Sequence, residues 1–207
     1  MQKPSTYAFE CILSVVDYLQ NTNDLGITFG NAHGITGIYE ASTVEGVSPE
    51  MQPVTWNDSA FGDLSPHMGC FVRSNYGASS WISKQIKFFT PKSSCEAEVG
   101  ALMIGVKETM FNRHITEEFG IRIFGPSTIY TDNKAAYDLM TKGGVTKNTV
   151  HFERWLHYVR ELYLRGKIRV FLVSTDVMWA DDKTKVMPKK KQAQCRAEQL
   201  NLARTTE

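Results

Sequence analysis

Four acidic residues lie where they could hold divalent cations. Asp58 and Asp132 each close an apolar segment that predicts a strand, Glu98 lies in the first turns of a long predicted helix, and Asp181 begins a short predicted helix. Four carboxylates repel one another unless cations lie between them. Hard oxygen ligands suit Mg²⁺, and two such ions about 4 Å apart can activate water and stabilise the leaving oxygen of a phosphodiester.

Each of these acids also has a purely structural explanation. Aspartate at the end of a strand often forms a turn, and glutamate in the first turn of a helix interacts favourably with the helix dipole. Spacing along the chain does not show that the four side chains meet. The metal-site hypothesis therefore depends on the elements that would position them.

The N-terminal part of the chain predicts a helix followed by a hairpin. Apolar residues recur at helical spacing over residues 7–20, with Ser5 or Thr6 as the N-cap. Residues 26–30 and 36–39 predict two short strands. The polar stretch 41–52 is the best linker, so residues 1–50 are predicted to form a small extension.

Residues 51–187 predict one α/β domain. Three antiparallel strands (54–58, 68–74 and 79–83) precede a helix that begins after Ser93 or Ser94 and ends near Glu118. Then follow a strand (127–132), two helices (133–141 and 152–162), a strand (168–173) and a short helix (179–185). This order predicts a mixed five-stranded sheet with helices on both faces. Residues 188–207 are predicted to be a charged tail, either an exposed helix or disordered.

Six segments resemble motifs of copia-type retrotransposon polyproteins, in the same order and with similar gaps. They are W-N-D-S-A-F at 56–61, S-S-W-I-S-K-Q at 79–85, S-S-C-E-A-E-V-G-A-L at 93–102, I-Y-T-D-N-K-A-A at 129–136, H-F-E through H-Y-V-R-E at 151–161, and A-D-D-K-T-K at 180–185. Residues 15–29 resemble the stretch that joins reverse transcriptase to ribonuclease H in that family. The resemblance covers about residues 9–187, and the polymerase motif Y-x-D-D is missing.

The resemblance implies a ribonuclease H-like fold and cleavage of the RNA strand of an RNA/DNA hybrid. By the same resemblance, the metal ligands are Asp58, Glu98, Asp132 and Asp181, holding two Mg²⁺ ions, with Mn²⁺ possible. Glu98 is preferred to Glu96, because the family's ligand is followed by x-x-Ala-Leu. Asp181 is preferred to Asp182, which stands where the family has an apolar residue. The implied partners are the hybrid and the reverse transcriptase portion of the polyprotein.

Some positions depart from the family's pattern. Ala60 replaces the second aspartate of a D-x-D motif, and Asp182 with Lys183 replaces an apolar pair, which should weaken packing of the last helix. These departures keep open a second hypothesis, a decayed or co-opted module that binds nucleic acid or protein. A third hypothesis is a DDE-type integrase, a family that requires a glutamate about 35 residues after the second aspartate. Lys167 stands there, and this reading is set aside.

Lysines near the motifs could contact the phosphates of a hybrid. Lys84, Lys87 and Lys92 precede the long helix, and Lys147 follows a Gly-Gly pair. Such contacts are salt-dependent and carry no sequence information. Ordinary solvated lysines remain the alternative.

Composition sets the class of protein. The 207 residues are 42% hydrophobic and 22% charged with a net charge of +1, so a packed core is expected and any basic surface must be local. The four cysteines form no C-x-x-C pair, which argues against a zinc ribbon and fits free thiols. No apolar run approaches the roughly 20 residues of a membrane helix. We expect an intracellular protein, in a cytoplasmic particle or the nucleus.

Overall fold

The computed structural model describes residues 5–30, 51–62, 66–87, 90–143 and 153–202. Within them, the helices are α1 (Thr6–Gln20), α2 (Ser94–Glu118), α3 (Lys134–Thr141), α4 (Glu153–Leu164) and α5 (Lys189–Leu200). The strands are β1 (Val54–Ala60), β2 (His67–Ser74), β3 (Gly77–Gln85), β4 (Ser127–Thr131) and β5 (Ile168–Leu172). The predicted strand at 36–39 and Lys147 lie outside the described residues.

The five strands form one mixed sheet in the order β3-β2-β1-β4-β5. Strands β1, β2 and β3 are antiparallel neighbours, whereas β4 runs parallel to β1 and β5 runs parallel to β4. Asn75 and Tyr76 form the tight turn between β2 and β3, both with positive φ. The predicted mixed five-stranded sheet is confirmed.

One face of the sheet is covered by α2, α3 and α4. Ser93 is the N-cap of α2, and its hydroxyl accepts the backbone N–H of Glu96. Helix α2 is buried continuously from Ala97 to Val106, as its apolar run predicts. Its core partners include Met68 and Cys70 of β2, Ile129 of β4, and Ile168 and Val170 of β5.

The other face is covered by the C-terminal part of the chain. Trp56 of β1 and Phe71 of β2 stack at 4.8 Å and pack with Met178 and Ala180. Helix α5 joins this layer, where Arg73 of β2 and Glu198 form a buried ion pair of 3.2 Å. Helices therefore lie on both faces, as predicted. Segment 189–200 is a helix, one of the two forms expected for the tail, but its C-terminal half is packed against the sheet and is not exposed.

Two further local predictions differ from the structure. Residues 26–30 are not a strand; the backbone N–H of Thr28 instead donates to the carbonyl of Leu200, and Asn201 donates to the carbonyls of Thr28 and Gly30. The predicted helix at 179–185 is instead a single 3₁₀ turn, Asp181–Lys183, and a first 3₁₀ turn, Thr175–Val177, precedes it. The second turn lies directly on β2, where the narrow 3₁₀ form fits: a Cβ added at Gly69 would lie 2.4 Å from the Cβ of Lys183.

The four cysteines are free thiols, as their spacing predicts. None of the helices in the described ranges combines the length and apolarity needed to cross a membrane.

Candidate metal centre

Asp58 and Asp132 become neighbours through the register of β1 and β4. Trp56 pairs with Tyr130 at the last paired position, and each aspartate follows its own paired aromatic residue by two positions. Side chains two residues apart in extended chains share a face. The rings of Trp56 and Tyr130 meet at 5.0 Å on that face, so both carboxylates emerge at the same edge of the same face.

Asp181 reaches this edge from the C-terminal layer. It begins the second 3₁₀ turn and is 1% exposed. Gly69, which pairs with Asp58 in the sheet, allows the turn to lie against β2. One carboxylate oxygen from each of Asp58, Asp132 and Asp181 lies within 4.8 Å of the other two. Three of the four predicted acids therefore converge.

Glu98 approaches from the opposite side of β1. One carboxylate oxygen accepts the hydroxyl of Ser59 at 2.9 Å and its backbone N–H at 3.2 Å. The other oxygen is buried and has no hydrogen-bond partner in the described part of the chain. Glu98 is outside the group of three oxygens within 4.8 Å. An unpaired buried carboxylate oxygen beside three converging carboxylates fits a site for divalent cations.

The electrostatics of the site are those of crowded, buried acids. Burial raises the pKa of Asp58 to about 6, although Thr184 and Lys185 counteract it. Burial, with a further contribution from the charge of Asp58, raises the pKa of Glu98 to about 8. Without a divalent cation Glu98 therefore keeps its proton at neutral pH, whereas Asp58 is mostly ionised.

This crowding predicts that the metal-free protein becomes less stable as pH rises. Because both pKa values exceed their unfolded values, the folded state binds more protons, and stability falls as pH rises from about 4 to 8. We expect the metal-free melting temperature to drop by about 3 °C or more between pH 5 and pH 8. Mg²⁺ should raise it at pH 8 and have little effect at pH 5.

Thermal unfolding followed by circular dichroism at both pH values measures this. The Glu98→Gln variant is the matched comparison, because it keeps the side-chain shape and removes the group with the higher pKa. Its melting temperature should depend less on pH than that of the wild type. An equal pH dependence in both proteins would contradict the assignment of this effect to Glu98.

Hydroxyl groups orient two of the carboxylates. The hydroxyl of Thr184 donates to Asp58, and that of Thr175 donates to Asp132 at 3.1 Å. The ammonium group of Lys185 lies 2.7 Å from Asp181 and 3.6 Å from Asp58. Burial acts to lower the pKa of Lys185, but contact with Asp181 and the nearby carboxylate charges raise it overall. Sequence reasoning assigned these residues no role, although the four-residue spacing of Asp181 and Lys185 was a visible signal.

The acids set aside in the sequence lie outside the centre. Glu96 accepts the backbone N–H of Lys92 at 2.7 Å, and so stabilises the start of α2. Asp182 pairs with Lys183 at 2.8 Å and accepts the side-chain amide of Gln199 in α5 at 2.9 Å. The Asp182–Lys183 pair, expected to weaken packing, instead ties the second turn to α5.

The described lysines that were predicted to contact phosphates lie at the surface. Lys84, Lys87 and Lys92 are exposed. Lys84 pairs with Met68, whose side chain packs in the α2 layer, so Lys84 lies on the face opposite Asp58. Lys84 is therefore not at the acidic centre, and the contact of all three lysines with nucleic acid stays a prediction.

Among solved structures, two ribonucleases H overlap in part with the overall fold of this chain. LC11-RNase H1 in complex with an RNA/DNA hybrid gives a TM-score of 0.48 at 10% identity, over 63% of this chain and 91% of that chain. The N-terminal RNase H domain of a Mycobacterium tuberculosis protein, solved as a fusion with maltose-binding protein, gives 0.48 at 12% identity, over 70% and 95%.

Sequence relatives are much longer than this chain. It is 26% identical over 196 residues to the retrovirus-related Pol polyprotein from transposon TNT 1-94 of Nicotiana tabacum. This match covers 95% of this chain and 14% of the relative. It is 27% identical over 187 residues to that from transposon RE2 of Arabidopsis thaliana, covering 89% and 12%. No family model matches. The chain is thus similar to one part of the retrovirus-related Pol polyproteins of plant transposons, as its motifs predict.

Proposed function

We propose that the chain is a ribonuclease H-type endonuclease that hydrolyses the RNA strand of RNA/DNA hybrids, as part of or derived from a copia-type Pol polyprotein. The observation that carries the proposal is the convergence of Asp58, Asp132 and Asp181 within 4.8 Å. The unpaired buried oxygen of Glu98 beside them supports it.

The proposed cofactor is a pair of Mg²⁺ ions, with Mn²⁺ as a substitute. When bound, the ions would supply charge neutralisation at the scissile phosphate and activation of water. Asp58, Asp132 and Asp181 would hold them, with Glu98 as the fourth ligand. The hydroxyls of Thr184, Thr175 and Ser59 hold the carboxylates in place, a role that outer hydrogen bonds have at metal sites generally.

The proposed partners are a hybrid and the reverse transcriptase part of the same or a related polyprotein. Lys84, Lys87, Lys92 and Lys147 would contact phosphates, so binding would weaken with salt. Helix α1 supports a protein contact, because it has no buried residue and exposes apolar side chains such as Tyr7, Phe9 and Ile12. We further propose an intracellular location, in a cytoplasmic particle or the nucleus.

A cleavage assay with the wild-type chain tests the proposal. The substrate is a hybrid labelled on its RNA strand, with Mg²⁺ or Mn²⁺, and the controls are RNA and DNA duplexes of the same sequence. We expect the RNA strand to be cleaved in the hybrid and neither duplex control to be cleaved. A chelator of divalent ions should stop the cleavage.

A second candidate function is a non-catalytic module that binds nucleic acid. The ammonium group of Lys185 against Asp181 favours it, because that lysine already neutralises part of the site. Hybrid binding without cleavage in either metal would support this candidate and contradict the first.

A further inference from the structure

Lys185 differs from the other site residues because it brings a positive charge into the acidic centre. Its ammonium lies 2.7 Å from an oxygen of Asp181 and 3.6 Å from an oxygen of Asp58. Those two carboxylates are 2% and 3% exposed, whereas the lysine side chain is 41% exposed. The charged group thus enters from the solvent side and ends among buried acids.

The local chain geometry fixes Lys185 at this point. The backbone N–H of Lys185 donates to the carbonyl of Asp181 at 3.1 Å, which closes one turn. The hydroxyl of Thr184, its neighbour, lies within hydrogen-bond distance of that carbonyl and of the carboxylate of Asp58, and donates its one proton between them. One short turn therefore supplies a carboxylate, a hydrogen bond to a second carboxylate, and a cation between the two.

We propose that Lys185 is a tethered cation that joins Asp58 to Asp181 in the metal-free protein and competes with divalent ions for the same carboxylates. This inference rests on the proposed metal site. Because the ammonium and a divalent ion would neutralise the same two carboxylates, binding of one opposes binding of the other. A protein that spends part of its time with Lys185 paired to these carboxylates binds metal more weakly. The apparent affinity falls in proportion to the fraction of molecules whose carboxylates are free of the lysine.

The neighbouring lysine does not share this role. Lys183 directs its ammonium to Asp182 at 2.8 Å and to the side-chain oxygen of Gln199 at 2.7 Å, away from the three converging acids. Lys185 is also long and partly exposed, so it can withdraw into solvent without disturbing the sheet. Removal of its charge should therefore change metal binding more than it changes the fold.

The test is a Mn²⁺ titration of the full chain by isothermal calorimetry, comparing the wild type with Lys185→Met and Lys185→Arg. Lys185→Met should bind Mn²⁺ about fivefold more tightly, the size of effect expected from one partly exposed ion pair. Lys185→Arg should stay near the wild type, because it keeps the charge. The metal-free Lys185→Met protein should melt at a lower temperature at pH 8 and gain more from Mn²⁺.

Lys142→Met is the matched control. Lys142 forms an ion pair of the same four-residue spacing with Asp138, at 3.0 Å, but outside the acidic cluster. Its removal should leave Mn²⁺ affinity unchanged. Repeating the titrations in high salt separates direct competition from long-range attraction, since salt screens the latter. If Lys185→Met folds poorly, Lys185→Gln replaces it.

Equal or weaker Mn²⁺ affinity in the Lys185→Met variant would overturn the proposal, and so would the lack of Mn²⁺ binding by every variant. The outcome is separate from the cleavage assay. Tighter binding by Lys185→Met in a chain that does not cut hybrids would keep the tethered cation and reject the endonuclease. Cleavage by the wild type, together with equal Mn²⁺ affinity in the wild type and the Lys185 variants, would keep the endonuclease and reject the tethered cation.

Discussion

Replacement of Asp132 by asparagine is expected to lower the rate of hybrid cleavage by about 100-fold or more. The change removes one negative charge from the three converging carboxylates and keeps the size of the side chain. Asp132 is only half-buried and follows β4, and Asn133, not Asp132, caps α3. We therefore expect the variant to fold normally, so that the loss of rate reports the site. Initial rates at saturating Mg²⁺ measure it.

Asp176→Asn is the control for this variant. Asp176 is an exposed acid in the turn that contains Thr175, the hydrogen-bond donor to Asp132, but it lies outside the cluster. Its substitution should leave the rate within about twofold of the wild type, since exposed charges contribute little. Cleavage that survives Asp132→Asn, or falls equally in Asp176→Asn, would exclude the proposed centre.

The second large effect concerns stability. Glu198→Gln should lower the free energy of unfolding by about 3 kcal/mol or more, because it leaves the guanidinium of Arg73 buried without its counter-charge. The two side chains are 2% and 6% exposed, and Arg73 also lies 4.6 Å above the ring of Trp56. For a chain of this size we expect the melting temperature to fall by roughly 10 °C.

Glu161→Gln provides the comparison for that measurement. Glu161 pairs with Arg165 at 2.6 Å, but the two side chains are largely exposed, so the loss should be below about 1 kcal/mol. The double variant Arg73→Met with Glu198→Met should be more stable than Glu198→Gln, since no charge is left buried. Equal melting temperatures for Glu161→Gln and Glu198→Gln would contradict the view that α5 is held by a buried ion pair.

Much of the fold follows from local sequence patterns. The apolar run of α2 and its cap at Ser93 place the central helix, and the strand-like stretches predict all five strands. Asp181, which the motifs favour over Asp182, lies in the converging group, and its role as a metal ligand stays a prediction. These successes share a cause, because caps and hydrophobic periodicity are properties of a few neighbouring residues.

Long-range contacts were beyond that kind of reasoning. Arg73 and Glu198 are 125 positions apart, and nothing near either residue indicates the other. The same holds for the contact of Thr28 with Leu200, which replaces the pairing predicted for residues 26–30. The lysine-rich start of α5 resembles a solvated tail. The residues of α5 that are buried in the fold, Cys195, Glu198 and Gln199, come later in the helix.

Asp58 and Asp132 each follow a paired aromatic residue by two positions, and this matched spacing has a consequence for how related transposon sequences are compared. A single codon inserted between Tyr130 and Asp132 would turn that carboxylate to the opposite face, because strand side chains alternate. Such a copy would keep every acid in a motif search and still lose the centre. Inventories of intact transposon copies should therefore count residues between motifs as well as the motifs themselves.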